Sequence, residues 1–246
     1  MRSSSHFVIG HSHDVCQDYA MHDGSFAALS DGCSRVYRDE KLFDAHTEIG
    51  AMITVRSLFE TRGNYQAIVA NQMREELGIE PECLCATAGS VCQDGETFVA
   101  KLIGDGMIAA RFRKPRKPHG AWRIWRYDYT DNPYYPAYGE SMTESPLETD
   151  LSSGDQDVAP RYVHSSFPIC IFDMAVVASD GVFSFTKDGK SVPFDLEFAS
   201  RFLEFRSMGG NFMLRHLRGV LNELAAEDIV HQDDISMIAL YAKEWE

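Results

Sequence analysis

The chain has 246 residues, 44% of them hydrophobic and 24% charged, enough apolar material for one large core or two small ones, which excludes a disordered chain. A formal net charge of −14 repels nucleic acid and anionic membrane surfaces over most of the molecule, so neither is expected as a partner. The sequence holds no run of about 18 apolar residues, and its opening MRSSSHFVIGHSHD lacks the apolar centre of a signal peptide, so a cytoplasmic location is expected.

Short strands open the chain: HFVIG, CQDYAMH and SFAALS, the last two joined through the turn residues His22, Asp23 and Gly24. Leu42, Ala45, Ile49, Met52, Ile53 and Phe59 recur near the 3.6-residue period and predict a helix over 41–60. A second helix is predicted over 64–77, with Tyr65, Ile68, Val69, Met73 and Leu77 on one face and Gly78 as its stop. Strands return as LCATAGSV, TFVAKLIG and MIAARF, with a turn at Asp94-Gly95, and 122–129 alternates as a further strand. Pro, Ser, Asp and Glu then dominate 130–160, so a loop or insertion is expected at about 113–165. CIFDMAVVAS reads as a central strand. Helices are predicted over 195–206 and 211–226, the latter on a stripe of Met213, Leu214, Leu217, Val220, Leu221 and Leu224, and ISMIALYA closes the chain as a strand. Strands, two helices, strands, two helices and one strand, joined largely by hairpin turns, predict one α+β domain over 1–246 with mainly antiparallel sheets.

The six cysteines lie mostly in or beside apolar runs, as buried reduced thiols do. Cys83 and Cys85 have no second Cys/His pair at zinc spacing.

Six Asp-Gly pairs start at residues 23, 31, 94, 105, 180 and 188. Asp-Gly is a common turn signal, and Asp23, Asp94 and Asp188, set among polar neighbours, are assigned to turns. Asp31 follows FAALS, Asp105 follows KLIG and Asp180 follows VVAS, so each ends an apolar strand. A carboxylate there is partly desolvated, and several together repel one another unless a cation compensates. Oxygen-only ligands favour Mg²⁺ or Mn²⁺. Asp18 and the pair Asp233-Asp234 stand at further strand ends, and Gly32, without a Cβ, leaves its carbonyl open to close approach. The residues thus admit two readings, a two-metal site or six turns.

The ordered set QD, SDG, GDG, SDGV and DDIS resembles the PP2C-type metal-dependent Ser/Thr phosphatases, over Gly10 to Leu240. GHSHDVCQD and NPYYPAYGE are similar to segments of the short bacterial branch. The resemblance implies a four-layer α-β-β-α sandwich of two mainly antiparallel sheets flanked by helix pairs. It implies a binuclear Mn²⁺ or Mg²⁺ site in which Asp31 bridges both ions, Gly32 offers its carbonyl, Asp180 and Asp233 hold one ion, Asp18 acts on the other and Asp105 serves a third, weaker one. It also implies hydrolysis of phosphoserine or phosphothreonine in a phosphoprotein, such as a Ser/Thr kinase or a kinase target, by an activated water, without a nucleophilic cysteine.

The chain departs from the family at several positions. Cys33 stands where the family has a histidine, Ser12 where many members have a phosphate-binding arginine, and Ser184 where an aspartate serves the third metal. His13 or His11 is then the candidate proton donor, and Arg35 the candidate phosphate ligand. Two rivals stay open: a PP2C-like module that binds a phosphoprotein partner without turnover, and a phosphohydrolase of small phosphate esters. Residues 111–126 hold seven of the 23 Lys and Arg, and 140–157 hold six acidic residues and no basic one. The first is expected as a hairpin arm for a substrate or partner, and the second as a loop able to fold against it.

Overall fold

The structure, a computed structural model, describes residues 1–33, 36–38, 41–43, 45–116, 120–129, 135 and 145–242. β1 (Arg2–Val8), β2 (Asp18–Asp23), β3 (Phe26–Asp31), β4 (Val36–Arg38) and β5 (Lys41–Phe43) precede α1 (Thr47–Glu60) and α2 (Ala67–Glu76). β6 (Ala88–Asp94), β7 (Thr97–Ile103), β8 (Gly106–Arg116), β9 (Gly120–Asp128), β10 (Leu147–Asp150), β11 (Gln156–Val158), β12 (Tyr162–Pro168) and β13 (Phe172–Ala178) follow. β14 (Phe185–Lys187) and β15 (Lys190–Ser191) lead to α3 (Leu196–Arg201) and α4 (Phe212–Ala226), and β16 (Ile229–His231) and β17 (Ile235–Tyr241) end the fold.

Two sheets form the centre: a seven-stranded one ordered β1-β17-β13-β8-β9-β10-β11 and a five-stranded one ordered β12-β7-β6-β3-β2. Their strand pairs are antiparallel. The period-2 geometry of a strand sends alternate side chains into different layers. On β13, Met174, Val176 and Ala178 pack with α3 and α4, while Ala175 and Val177 pack between the sheets. On β17, Met237 and Ala239 take the first side, and Ile238 and Leu240 the second. Both strands are largely apolar because both faces are covered. On the far side, Phe26, Ala28, Ala88 and Ile103 of the smaller sheet meet Val55 and Leu58 of α1. The result is the expected α-β-β-α sandwich.

The stripe on α4 is buried through Met213, Leu217, Val220 and Leu224, and Asn211 caps the helix by accepting from the Leu214 amide at 3.1 Å. Three Asp-Gly pairs assigned to turns do lie at hairpins, between β2 and β3, β6 and β7, and β14 and β15. Two expectations shift. The helix expected over 41–60 starts at Thr47, because 41–43 pair with 36–38 as a hairpin. The stretch expected as a loop at about 113–165 instead carries β9, β10, β11 and most of β12. β11 is exposed along its length at the sheet edge, so it shows no apolar alternation to read. Residues 130–134 and 136–144 lie outside the described residues.

The acidic segment does fold against the basic arm. β10 pairs with β9, and Arg123 binds Asp150 at 3.2 Å. Arg111 makes a two-point contact with Asp173 on β13 at 2.7 and 3.1 Å, so much of the arm's charge is neutralised within the fold.

Candidate metal centre

The register of the two sheets carries the acidic residues to one edge. Asp18 begins β2 and is the direct partner of Asp31, which ends β3. Ala178, at the end of β13, pairs with Met107 near the start of β8 and with Met237 near the start of β17. Asp180 follows β13, Asp233 precedes β17, and Asp105 sits in the tight crossover from β7 to β8. Five carboxylates from five separate chain segments therefore share one end of the sandwich.

Close backbone packing explains two of the glycines. A Cβ on Gly32 would stand 2.7 Å from the Thr47 carbonyl oxygen, and one on Gly181 would overlap the carbonyl oxygen of Asp234. Side chains at these positions would push the strand ends apart, so glycine is required before any ion is considered.

Each carboxylate is held differently. Asp18 is 3% exposed, and its Oδ2 accepts from the Ser179 hydroxyl at 2.8 Å. The Asp31 amide donates to Thr87 Oγ1 at 3.0 Å, and its carbonyl accepts from the Thr87 amide at 2.8 Å, which fixes the end of β3. The Asp31 carboxyl lies against those of Asp18 and Asp180. Asp180 opens a single 3₁₀ turn, Asp180–Phe183. Asp18 Oδ1 and Asp180 Oδ1 are buried and hydrogen-bond to no described residue.

Burial pushes these acids toward their neutral forms. The Asp18 carboxyl is raised to about 7, chiefly by desolvation. Asp31 is raised well above the usual range by burial and then by the charges of Asp18 and Asp180. Asp105 is raised well above it by burial and then by Asp180. Asp233 is raised to about 6 by burial and then by Asp180. Among the described residues, no Lys or Arg pairs with Asp18, Asp31, Asp105 or Asp180. Mutual repulsion without a protein cation is the situation a hard divalent ion resolves.

Asp233 and Asp234 divide their roles. Asp234 is 1% exposed; its Oδ1 accepts from the Gly10 amide at 2.6 Å and its Oδ2 from the Gln17 amide at 2.5 Å. It ties the 9–17 loop to the start of β17. Asp233 Oδ1 accepts from the neighbouring Asp234 amide, at 2.9 Å, and its carboxyl faces Asp180.

His13 lies between this pair, with Nε2 3.4 Å from Asp233 Oδ1 and Nδ1 3.1 Å from Asp234 Oδ1. His11 donates its amide to the His231 carbonyl at 3.2 Å. Ser12 donates its hydroxyl to the Gln232 carbonyl at 2.6 Å. Arg35 lies outside the described residues. Cys33 packs with Ala45, Cys85 and Tyr135 beside the acidic cluster. The Tyr135 phenol is raised by burial and then by Asp105, Cys33 and Asp31, which places this tyrosine of the NPYYPAYGE segment against the cluster.

The sequence reading did not single out Thr87, Ser179 or Arg126, all of which shape this edge. As the side chains stand, no three His, Cys, Asp or Glu among the described residues are arranged to hold a metal ion. The donor set still fits a hard cation: it is all oxygen, it has two unpartnered buried carboxylate atoms, and its charge is uncompensated.

No protein-family model matches the sequence, and no curated protein matches it. Solved structures do share the fold. The Mycobacterium tuberculosis serine/threonine phosphatase PstP/Ppp is 13% identical at a TM-score of 0.57, covering 99% of both chains. PppA, a regulatory component of the type VI secretion system in Pseudomonas aeruginosa, is 11% identical at a TM-score of 0.58, over 98% of this chain and 97% of its own. The PstP catalytic domain in complex with two manganese ions is 11% identical at a TM-score of 0.50, covering 98% of both chains. The chain therefore has the α-β-β-α fold of the bacterial PP2C-type serine/threonine phosphatases.

Proposed function

We propose that the protein is a metal-dependent phosphatase that hydrolyses phosphoserine or phosphothreonine in a phosphoprotein. The observation that carries this reading is the convergence of Asp18, Asp31, Asp105, Asp180 and Asp233 at one edge, with no Lys or Arg among the described residues paired with the first four. Asp18, Asp31, Asp180 and Asp233, with the Gly32 carbonyl, would hold two Mn²⁺ or Mg²⁺ ions, and Asp105 a weaker third. The manganese-loaded PstP structure of the same fold supports the choice of ion. When bound, such ions lower the pKa of water and neutralise phosphoryl charge.

The chain's own residues do the rest. Ser179 fixes the Asp18 carboxylate and Thr87 the backbone of Asp31, two acids that must lose their protons for cations to bind. Asp234 holds the 9–17 loop, and with it His13, against the site. His13 is thereby placed to hand a proton to the departing serine or threonine oxygen.

A second reading has one observation behind it. The carboxylates are not arranged in a ligating group of three, as a binding module without turnover would allow. Hydrolysis of p-nitrophenyl phosphate and of a phosphothreonine peptide, with Mn²⁺, with chelator and in an Asp180→Asn variant, separates the two. Mn²⁺-dependent turnover lost in the variant supports the phosphatase. Absence of turnover on both substrates with Mn²⁺ bound supports the module, and preference for the small ester over the peptide would move the substrate class away from proteins.

A further inference from the structure

A cleft of about 290 Å³ at the acidic edge is lined by Asp180 and Asp233 together with Arg126, Asp128, Phe183 and Ser184. We infer that Arg126 binds the phosphoryl group of the substrate in this cleft; the inference rests on the phosphatase reading above and names a residue for it.

The position of Arg126 is unusual for its strand. On β9, Trp122 and Ile124 point into the core under α3 and α4. Arg126 and Asp128 continue that face by period 2, so a cation and a carboxylate stand where an apolar stripe would run on. Arg126 is the one cation among the described residues lining the cleft.

Its guanidinium is fixed. It lies over the Phe183 ring at 4.4 Å. Asp128 holds it through one hydrogen bond, from Nη2 to Oδ1 at 3.0 Å, and an ion-pair contact of 2.6 Å between Nε and Oδ2 that lies outside hydrogen-bond geometry. Nη1 hydrogen-bonds to no described residue. Holding an arginine by one edge and one face leaves its remaining donors pre-aimed, so little side-chain entropy is lost when an anion arrives. Planar paired donors match a tetrahedral phosphoryl oxygen pair better than an ammonium does. The size of the cleft suits a single phosphorylated side chain.

The test compares wild type, Arg126→Met and Arg126→Lys. The methionine keeps apolar bulk on Phe183 and removes the charge. The lysine keeps charge and stem but loses the fork. Three quantities are measured: Mn²⁺ affinity, the Kd of inorganic phosphate for Mn²⁺-loaded protein by calorimetry, and KM and kcat on a phosphothreonine peptide. Arg126→Met should weaken phosphate about 10-fold or more and raise KM in step, with Mn²⁺ affinity unchanged. Arg126→Lys should recover only part of the loss. Phosphate affinity within about twofold of wild type in both variants overturns the inference. Turnover separates the two claims. Mn²⁺-dependent turnover with unaltered KM in both variants removes Arg126 alone. Arg126-dependent phosphate binding without turnover removes the phosphatase reading alone. Wild-type protein that binds no phosphate at millimolar concentration removes both.

Discussion

Asp18 and Asp31 are register partners across β2 and β3, and their carboxyls lie together at the buried edge of the sandwich. Two acids can meet there only if one keeps its proton or a cation replaces it. Asp31→Asn should therefore separate stability from function. It removes the repulsion of Asp31 with both Asp18 and Asp180, so metal-free protein should gain roughly 1–2 kcal/mol, a rise of about 2–8 °C in Tm. Mn²⁺-dependent hydrolysis should fall by about 100-fold or more. Thermal unfolding and a phosphate-release assay on the same preparation check both halves, and a variant that loses stability as well would point to a structural role.

The same burial sets a pH dependence. Asp18 is raised to about 7 and Asp233 to about 6 in the folded protein, against about 3.9 for an ordinary aspartate. The folded state thus keeps protons that the unfolded chain releases. Stability from these groups is fully present below pH of about 4 and is lost as pH rises through about 6 to 7. Mn²⁺ competes with those protons, so the rise in Tm on adding Mn²⁺ should be larger at pH 8 than at pH 5.5. Equal shifts at both values would mean that the ion binds elsewhere.

How much of this was legible depends on how far each signal reaches along the chain. The apolar strands and the α4 stripe were readable because their periodicity is local, and β13 and β17 stand where FDMAVVA and ISMIALY run. The three Asp-Gly turns were also readable from local context, since Asp23, Asp94 and Asp188 lie at hairpins. β4 and β5 were missed because Leu42 fits a helical period as well as a strand. β10 and β11 were missed because short strands in a polar stretch, with no fully buried residue, have no apolar face to advertise. Arg126 needed the fold: nothing in WRIWRYD says which alternate face opens onto the acidic edge. The tie from Asp234 to Gly10 spans most of the chain, and no spacing rule reaches that far.

The adjacent pair Asp233 and Asp234 should respond in opposite ways. Asp234→Ala strips the acceptor from the Gly10 and Gln17 amides, bonds of 2.6 and 2.5 Å at a nearly inaccessible site. Leaving buried amides unpaired costs about 3 kcal/mol or more, near 10 °C in Tm. Asp233→Asn keeps an oxygen for the Asp234 amide, so its Tm should stay within about 2 °C of wild type. Its Mn²⁺ affinity and turnover should drop instead. Calorimetric unfolding beside Mn²⁺ titration checks the contrast, and the reverse pattern would exchange the roles of the two residues.

Gly181 offers a test of the edge as a packed unit. It follows Asp180 in the 3₁₀ turn, and a Cβ there would overlap the Asp234 carbonyl oxygen, a backbone atom that cannot rotate aside. Relief requires the end of β13 to part from the start of β17, which carries Asp180 away from Asp233. Gly181→Ala should cost about 2–3 kcal/mol in stability, as overpacking in a tight core does. It should also weaken Mn²⁺ binding even though every carboxylate remains. Gly24→Ala, at a hairpin where a Cβ meets nothing within 4 Å, is the control. It should leave Mn²⁺ affinity intact despite the strain of its positive φ. A Gly181→Ala protein with wild-type Mn²⁺ affinity would show that the two strand ends need not be in contact for the carboxylates to act together.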